Sequence, residues 1–368
     1  MTDGKMRWRR MPMEEESPEE YGYDRIRANL AESSCRDRRL GELGLDLDGL
    51  VLLYGDHRGM PELRALLAAE AGLNPKDVLL AACAANALFL IAITLLGRDD
   101  HLIVVRPNYA TNLETPFAIG CEVTHIDLTL EEGFRLDPAR ISAAILPNTR
   151  LISVTTPHNP TGTELDAPTL AALVDIAERT GCHLLVDETY REMAGISLPV
   201  AASMSEKVIS VSSVSKTYGL PGIRVGWALS RDVALMNRLL AAKEQIVLTG
   251  SVLDEAICYE VLRQKGTLLP EIRAHIAGQR QIAVDWMASE PRLRWATPTG
   301  GVVGFPKAAP GLDMPRFYKT LLELGIFVGP GHWFHQDPRH FRIGWGWPLQ
   351  EELRLGLAGI SEALEAAG

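Results

Sequence analysis

Paired cysteines are missing from this sequence. Its five cysteines, Cys35, Cys83, Cys121, Cys182 and Cys258, are scattered, odd in number and never spaced C-x-x-C. Neither a disulfide framework nor a thiolate zinc site is expected, and free thiols suit a cytoplasmic location. Positive charge is scarce as well. Lys and Arg number 37 against 47 Asp and Glu, a net charge of −10. That balance disfavours nucleic acid or an anionic membrane surface as a partner. Long apolar runs are absent, since nothing approaches the ~20 residues that span a bilayer. The richest stretch, 81–96, carries Asn86 and Thr94 and reads as a buried helix. Lys5, Arg7, Arg9 and Arg10 have no apolar segment behind them, so no secretory signal is expected. Internal repeats and low-complexity tracts are missing too.

What is there suits a globular protein. The chain has 368 residues, 46% hydrophobic and 23% charged, enough for two domains. Short apolar runs at 101–105, 122–126, 151–155, 183–186 and 208–211 read as buried strands. Helical patterns at 84–96, 109–119 and 167–180 lie between them. This alternation predicts an α/β fold, a mostly parallel sheet with helices on both faces. Ligands of such sheets sit at the carboxyl ends of the strands. Beyond them, 268–287 reads as a long helix after a break at Gly266, with Pro270 in its first turn. Residues 293–297 and 302–305 read as antiparallel strands around Pro298-Thr299-Gly300-Gly301. A helix at 314–324, strands at 326–329 and 341–344, and a helix at 349–366 complete a smaller α+β lobe. The expected division is a large domain over 46–283 and a small domain from 1–45 and 284–368. Residues 1–20, with Pro12, Pro18 and the glutamates 14–16, read as a mobile arm.

The most informative stretch is Ser213-Val214-Ser215-Lys216-Thr217-Tyr218-Gly219-Leu220-Pro221-Gly222-Ile223-Arg224-Val225-Gly226. A lysine used as a covalent amine must lose its proton near neutral pH, which burial and nearby positive charge favour. It also needs donors that hold whatever it bonds. Ser213, Ser215 and Arg224 can offer donors to a phosphate. A phosphorylated carbonyl cofactor meets all these demands, and pyridoxal phosphate fits that description. The run fills every defined position of S-x-S-K-x-x-G-x-x-G-x-R-x-G. In this it resembles the lysine motif of fold-type I pyridoxal-phosphate enzymes, the aminotransferase class I/II family. The resemblance implies a mostly parallel, seven-stranded-type sheet flanked by helices. It also implies pyridoxal 5′-phosphate bonded to Lys216, with Ser213, Ser215 and Arg224 at its phosphate.

Other motifs follow in the family's order. Asp187 comes after the apolar run 183–186, where a buried carboxylate needs a partner such as a protonated pyridine nitrogen. Asp187-Glu188-Thr189-Tyr190 resembles D-E-x-Y, which implies Asp187 on that nitrogen and Tyr190 on the ring hydroxyl. Pro157-His158-Asn159-Pro160-Thr161-Gly162 is a rigid turn. Its Asn-Pro-Thr-Gly resembles the family's motif, implying that Asn159 donates to the ring oxygen, while His158 reads as structural. Small residues at 82–87 let helix N-terminal amides approach a phosphate. They resemble G-A-x-x-A-L, with Cys83 where glycine is usual and Ala85 where a hydroxyl is common. Ala84 and Ala85 are therefore expected to act through their backbone. Tyr109, after the strand at 101–105, is placed to stack on the pyridine face. Tyr54-Gly55-Asp56-His57-Arg58-Gly59, with Leu63 and Arg64, resembles Y-G-x-x-x-G-x-x-x-L-R. In the family that tyrosine reaches the neighbouring subunit's phosphate, which implies a homodimer with shared active sites. Arg342, in Phe341-Arg342-Ile343-Gly344, offers a bidentate clamp for an α-carboxylate and stands where the family has its substrate arginine. Arg339 lies in a polar loop nearby.

The resemblance thus runs from about residue 45 to 345. It implies amino-group transfer from an L-amino acid to a 2-oxo acid, with Lys216, Asp187 and Tyr190 catalytic and Arg342 and Asn159 on the substrate. Elimination, racemisation, decarboxylation, cyclisation and oxidation use the same apparatus, and the fold does not choose among them. The run S-K-T-Y-G-L-P-G-x-R-V-G-W is also similar to that of amino-acid cyclases such as capreomycidine synthase. A lyase or cyclase acting on a modified amino acid is therefore the alternative. The side-chain pocket is expected from 29–34, Tyr109, 189–193 and 332–335. Within it, Glu32 is a candidate to receive a cationic side chain such as a guanidinium. Trp345 and Trp347 read as packing.

Overall fold

The computed structural model describes residues 6–195 and 198–368. Its central sheet has seven strands: β1 (Val78–Ala81), β2 (His101–Arg106), β3 (Glu122–Asp127), β4 (Thr149–Thr155), β5 (His183–Asp187), β6 (Val208–Ser213) and β7 (Gly226–Leu229). Their order is β1-β7-β6-β5-β4-β2-β3. Strands β2 to β6 pair in parallel, and β7 runs against both its neighbours. Ile103, Val104, Ile152, Val186 and Ile209 are fully buried. Strands covered on both faces carry such continuous Val/Ile/Leu runs. The five anticipated strands are all present, each a residue or two longer. Strand β7 was not anticipated, because its four residues overlap the lysine motif and begin at Gly226.

Helices α1 (Ala84–Leu95), α2 (Ala110–Ile119) and α3 (Ala167–Thr180) link the strands. Helix α3 shows how the sequence sets its limits. Asp166 caps it by accepting the Thr169 amide at 2.8 Å, and Gly181 ends it at φ 77°. Its buried stripe is Leu170, Leu173, Val174 and Ala177, the i, i+3, i+4, i+7 spacing of a helix face.

The C-terminal part corrects two expectations. Residues 293–297 and 302–305 do not pair with each other. Leu293–Arg294 pairs with Lys307–Ala308, while β8 (Val303–Gly304) pairs with β10 (Phe341–Gly344). Strand β10 takes β9 (Gly329–Pro330) on its other edge. The intervening turn is tied elsewhere, because the Gly162 carbonyl accepts the amides of Thr299 (2.8 Å) and Gly300 (2.9 Å). Helix α4 (Lys265–Ser289) includes Gly266, so Pro270 lies inside it rather than in its first turn. Its buried Leu269, Ile272, Ile276, Ala283 and Met287 hold it together. Pro270 cannot bond the Gly266 carbonyl, and Gly266 is exposed to water that can.

Ala28–Asn29 pairs in parallel with Ile326–Phe327, so the N-terminal segment joins the lobe of α5 (Met314–Leu324) and α6 (Gln350–Ala367). The arm before it is tied down, contrary to expectation. It forms two short helices, Pro12–Glu15 and Pro18–Tyr21. Arg9 makes a bidentate pair with Glu114 at 2.6 Å, and His332 Nε2 and Trp333 Nε1 both donate to Glu16 at 2.7 Å. The charges that suggested disorder have partners far along the chain. Residues 1–5 lie outside the described residues.

Candidate active site

The carboxyl ends of β4, β5 and β6 and the N-terminus of α1 open on one cavity, where a parallel sheet presents ligands. Asp187 and Ser213 are the last residues of β5 and β6. The next turn brings Ser215, Lys216 and Arg224 to the same cavity.

One end of the cavity is built for an anion. Helix α1 begins at Ala84 with Cys83 as its N-cap, and no side chain caps it. Its first amides, including those of Ala84 and Ala85, have no intrahelical acceptor and carry the positive end of the helix dipole. Ser213 is buried beside them, and the buried Ser215 Oγ has no partner among the described residues. Arg224 reaches the cavity while donating through Nη1 to the Pro221 carbonyl. Strand β7 comes very close: a Cβ on Gly226 would lie 2.5 Å from the Ala84 nitrogen. Cys83 sits at φ 81°, ψ 169°, a region nearly reserved for glycine and costing others about 1–3 kcal/mol. This explains why glycine is usual there. The donors suit a phosphate dianion.

The other end carries the acid. Asp187 is 6% exposed, and its Oδ1 accepts from the Thr189 hydroxyl (2.6 Å) and amide (3.1 Å). Burial holds its carboxyl above the usual range, opposed by Thr189 and the charge of Lys216. A protonated ring nitrogen would supply the missing countercharge. Asn159 is buried, and its Oδ1 accepts from Arg342 Nη1 at 2.9 Å, leaving its NH₂ for the cavity. Tyr190 donates to Ser33 Oγ at 3.0 Å, so in this structure its hydrogen is engaged. The Tyr109 ring lines the cavity, with burial raising its hydroxyl pKa. His158 accepts or donates through Nδ1 with Thr161 at 2.8 Å, and burial pushes its pKa down to about 4. It is a neutral brace of the turn.

The Lys216 amine has no hydrogen-bond or ion-pair partner among the described residues. Arg342 is buried, its Nη2 donates to the Ala31 carbonyl, and its Nε lacks a partner. Glu32 is close enough to both that their charges act on it. Tyr54 is not brought to the cavity of its own chain; it is 82% exposed. Arg339 pairs with Asp337 at 2.9 Å, outside the site. Trp345 is fully buried, and Trp347 donates to Asp37 at 3.0 Å under Arg36. The site also uses Ser33 on Tyr190 and Thr189 on Asp187. Neither bond is signalled by a motif, although the polar run Asn29, Glu32, Ser33 and Ser34 is a trace of the first.

An anion cup, a free lysine amine and a buried carboxylate at one sheet edge fit pyridoxal 5′-phosphate, and the fold is that of its fold-type I enzymes. A model of the family Aminotransferase class I and II matches residues 31–358, and the chain belongs to that family. Capreomycidine synthase of Streptomyces vinaceus is 30% identical over 356 residues, 93% of this chain and 91% of its own. An arginine–pyruvate transaminase of Pseudomonas aeruginosa is 28% identical over 307 residues, 79% of this chain and 77% of its own. Among solved structures, the PLP-dependent cyclase OrfR has a TM-score of 0.86 at 27% identity, covering 99% of both chains. The protein is thus a pyridoxal-phosphate-dependent enzyme. No helix among the described residues is long and apolar enough to cross a membrane.

Proposed function

We propose that the enzyme is an aminotransferase, moving the amino group of an L-amino acid to a 2-oxo acid. The observation that carries this reading is the unpartnered Lys216 amine in one cavity with the buried Asp187 carboxylate. When bound, pyridoxal phosphate supplies an aldehyde for amines and a protonated ring that draws electrons from a substrate Cα. Lys216 anchors it covalently and, when displaced, takes a proton from the substrate Cα through Nζ. Asp187 accepts from the ring N–H through the oxygen that Thr189 leaves free. Asn159 Nδ2 donates to the ring oxygen, and Tyr190 approaches the same oxygen once Ser33 supplies the hydrogen in their pair. Tyr109 stacks on the ring. Ser213, Ser215, Arg224 and the Ala84 and Ala85 amides hold the phosphate. Arg342 meets the α-carboxylate with the Nε that has no partner in the protein.

A second copy of the chain completes the site in this reading. Val51, Leu52, Leu53 and Tyr54 are 59–82% exposed in one continuous run. A monomer rarely leaves such a run uncovered. As a dimer, each chain lends Tyr54 to its partner's phosphate. Five free thiols suit a reducing, cytoplasmic setting. The pairing of Ala28–Asn29 with Ile326–Phe327 supports grouping both chain ends into one small domain.

A second reading is favoured by the similarity to capreomycidine synthase and to a PLP-dependent cyclase over nearly the whole chain. There the carbanion at Cα expels a β-substituent instead of being carried to a keto acid. Incubation with an amino-acid panel, with and without 2-oxoglutarate, tests the first reading. Keto acid plus glutamate supports transamination. Ammonia, or a dehydrated product formed without an acceptor, rules it out in favour of a lyase or cyclase.

A further inference from the structure

Residues 30–35 form a strap beside the cavity, where Ser33 takes the hydrogen of the cavity-lining Tyr190 and the Ala31 carbonyl accepts from Arg342. The Leu30 amide donates to Phe327 O (2.8 Å), the Leu30 carbonyl accepts from the Gly344 amide (2.7 Å), and the Cys35 amide donates to Lys216 O (2.9 Å). The strap is therefore pinned between β10, which carries Arg342, and the turn that carries Lys216. Contact at the crossing is tight, since a Cβ on Gly344 would lie 1.9 Å from the Glu32 carbonyl oxygen. Glu32 is held in place at that point by its backbone.

Two polar side chains beside Glu32 have partners, although the buried Asn29 Nδ2 has none among the described residues. Asn29 Oδ1 accepts the Ala31 amide at 3.1 Å, and Ser33 takes the Tyr190 hydrogen. The Glu32 carboxylate has no hydrogen-bond or ion-pair partner among the described residues. Burial holds its pKa above the usual range, against the opposing pull of Lys216 and Arg342. Those two cations are already assigned, Lys216 to the cofactor and the Cα proton and Arg342 to the substrate's α-carboxylate. Arg342 is further committed to Asn159, to the Ala31 carbonyl and to the face of Phe334, 5.0 Å away. Acidic groups also act on this region, while the basic Arg38 acts on Cys35 at the end of the strap. Glu19 and Asp37 act on both Glu32 and Tyr23, and Glu14 acts on Tyr109. Glu32 is half-buried; a carboxylate left without a partner when a ligand closes over it is costly, so its partner is expected to arrive with the ligand.

We propose that the substrate is an amino acid with a positively charged side chain, guanidinium or ammonium, and that Glu32 receives that charge. This rests on the reading of the cavity as an α-amino-acid site. A second carboxylate on the side chain would meet Glu32, Glu19 and Asp37 and be repelled. An apolar side chain would bury Glu32 and leave it unpaired. A cation removes both penalties, and a charged hydrogen bond of this kind changes affinity by about 10- to 100-fold.

The test is a titration of the holoenzyme, following the absorbance of the Lys216-bound cofactor. The ligands are L-arginine, L-lysine, L-citrulline, L-norleucine and L-aspartate. Citrulline keeps the shape of arginine without its charge. Arginine or lysine is expected to half-saturate at a concentration about 10- to 100-fold below citrulline and norleucine, with aspartate weakest. Glu32→Gln should weaken the cationic ligands and, by removing the unpaired charge, tighten norleucine and aspartate, closing most of that gap. Equal affinity for arginine and citrulline in the wild type overturns the proposal, and so does a gap that survives Glu32→Gln in a variant that still holds cofactor. The wild-type comparison stands even where the variant fails to fold. If no amino acid moves the band of a cofactor-loaded enzyme, the amino-acid-site reading itself is lost, and this proposal with it.

Discussion

Asp187→Asn separates what the buried carboxylate costs the empty fold from what it gives the loaded enzyme. Asp187 is 6% exposed, and both its hydrogen bonds come from Thr189 and fall on Oδ1. Burial raises its pKa above the ordinary 3.8. A carboxyl raised on folding favours the fold while protonated, and that contribution is lost as pH rises through the folded-state pKa. The cofactor-free wild type should therefore weaken against Asp187→Asn as pH rises above the ordinary 3.8. Asparagine has the same shape and its Oδ1 still accepts both Thr189 bonds, so no cavity is made. The gain at pH 8 is on the scale of one buried polar group short of a partner, about 1–3 kcal/mol, or a few degrees in melting temperature. With cofactor present the sign reverses, because the ring N–H loses its anionic acceptor. Cofactor affinity should fall by about 10- to 100-fold. Calorimetry of the cofactor-free proteins at two pH values, with equilibrium dialysis against pyridoxal phosphate, measures both. An apo variant that melts below wild type at pH 8, or a difference unchanged by pH, refutes the electrostatic account. Unchanged cofactor affinity refutes Asp187 as the ring partner.

Three further substitutions probe the supports of the site. Thr189→Val removes the 2.6 Å bond to Asp187 and should weaken cofactor binding by about tenfold, with Thr189→Ser restoring it in the same dialysis. Gly226→Ala puts a methyl 2.5 Å from the Ala84 nitrogen. It should displace the anion cup and cost cofactor affinity at least as heavily, read by titration into apo-protein. Leu52→Glu charges a position that is 76% exposed in one chain. Sedimentation should show dimers turning into monomers, with a loss of activity, whereas an unchanged dimer removes this surface from the interface.

Much of the fold was legible because burial on both sides writes itself into consecutive residues. Strands β2, β4 and β5 are runs such as His-Leu-Ile-Val-Val and His-Leu-Leu-Val, and no helical period explains them. Misread segments share one cause: their partners are distant. Residues 302–305 look like half of a local hairpin, yet β8 pairs with Ile343 and Gly344. Gly266 and Pro270 look like a helix boundary, and a buried stripe along α4 overrides them. The acidic arm looks unstructured until Glu16 meets His332 and Trp333, and Arg9 meets Glu114. Local composition carries no trace of such contacts.

The same distinction runs through the site. The proposed cofactor residues lie at strand ends and in the short turns after them, where spacing along the chain already fixes spacing in space: Ser213, Ser215 and Lys216 at the end of β6, Asp187 and Tyr190 at the end of β5, and Asn159 in the turn after β4. Their chemistry is therefore readable from the sequence. The bonds that join those turns are not. Arg342 donates to Asn159 across 183 residues, and Tyr190 to Ser33 across 157. The proposed recognition of the substrate's side chain is the extreme case, since the strap at 30–35 meets Lys216 on one side and β10 on the other only after folding. On the proposed reading, motifs can stay fixed while the reaction changes, because groups from separate segments meet the substrate. This accounts for a chain similar to both a transaminase and a cyclase. It also makes the charge of the bound side chain, rather than the cofactor machinery, the property whose measurement most narrows the reaction.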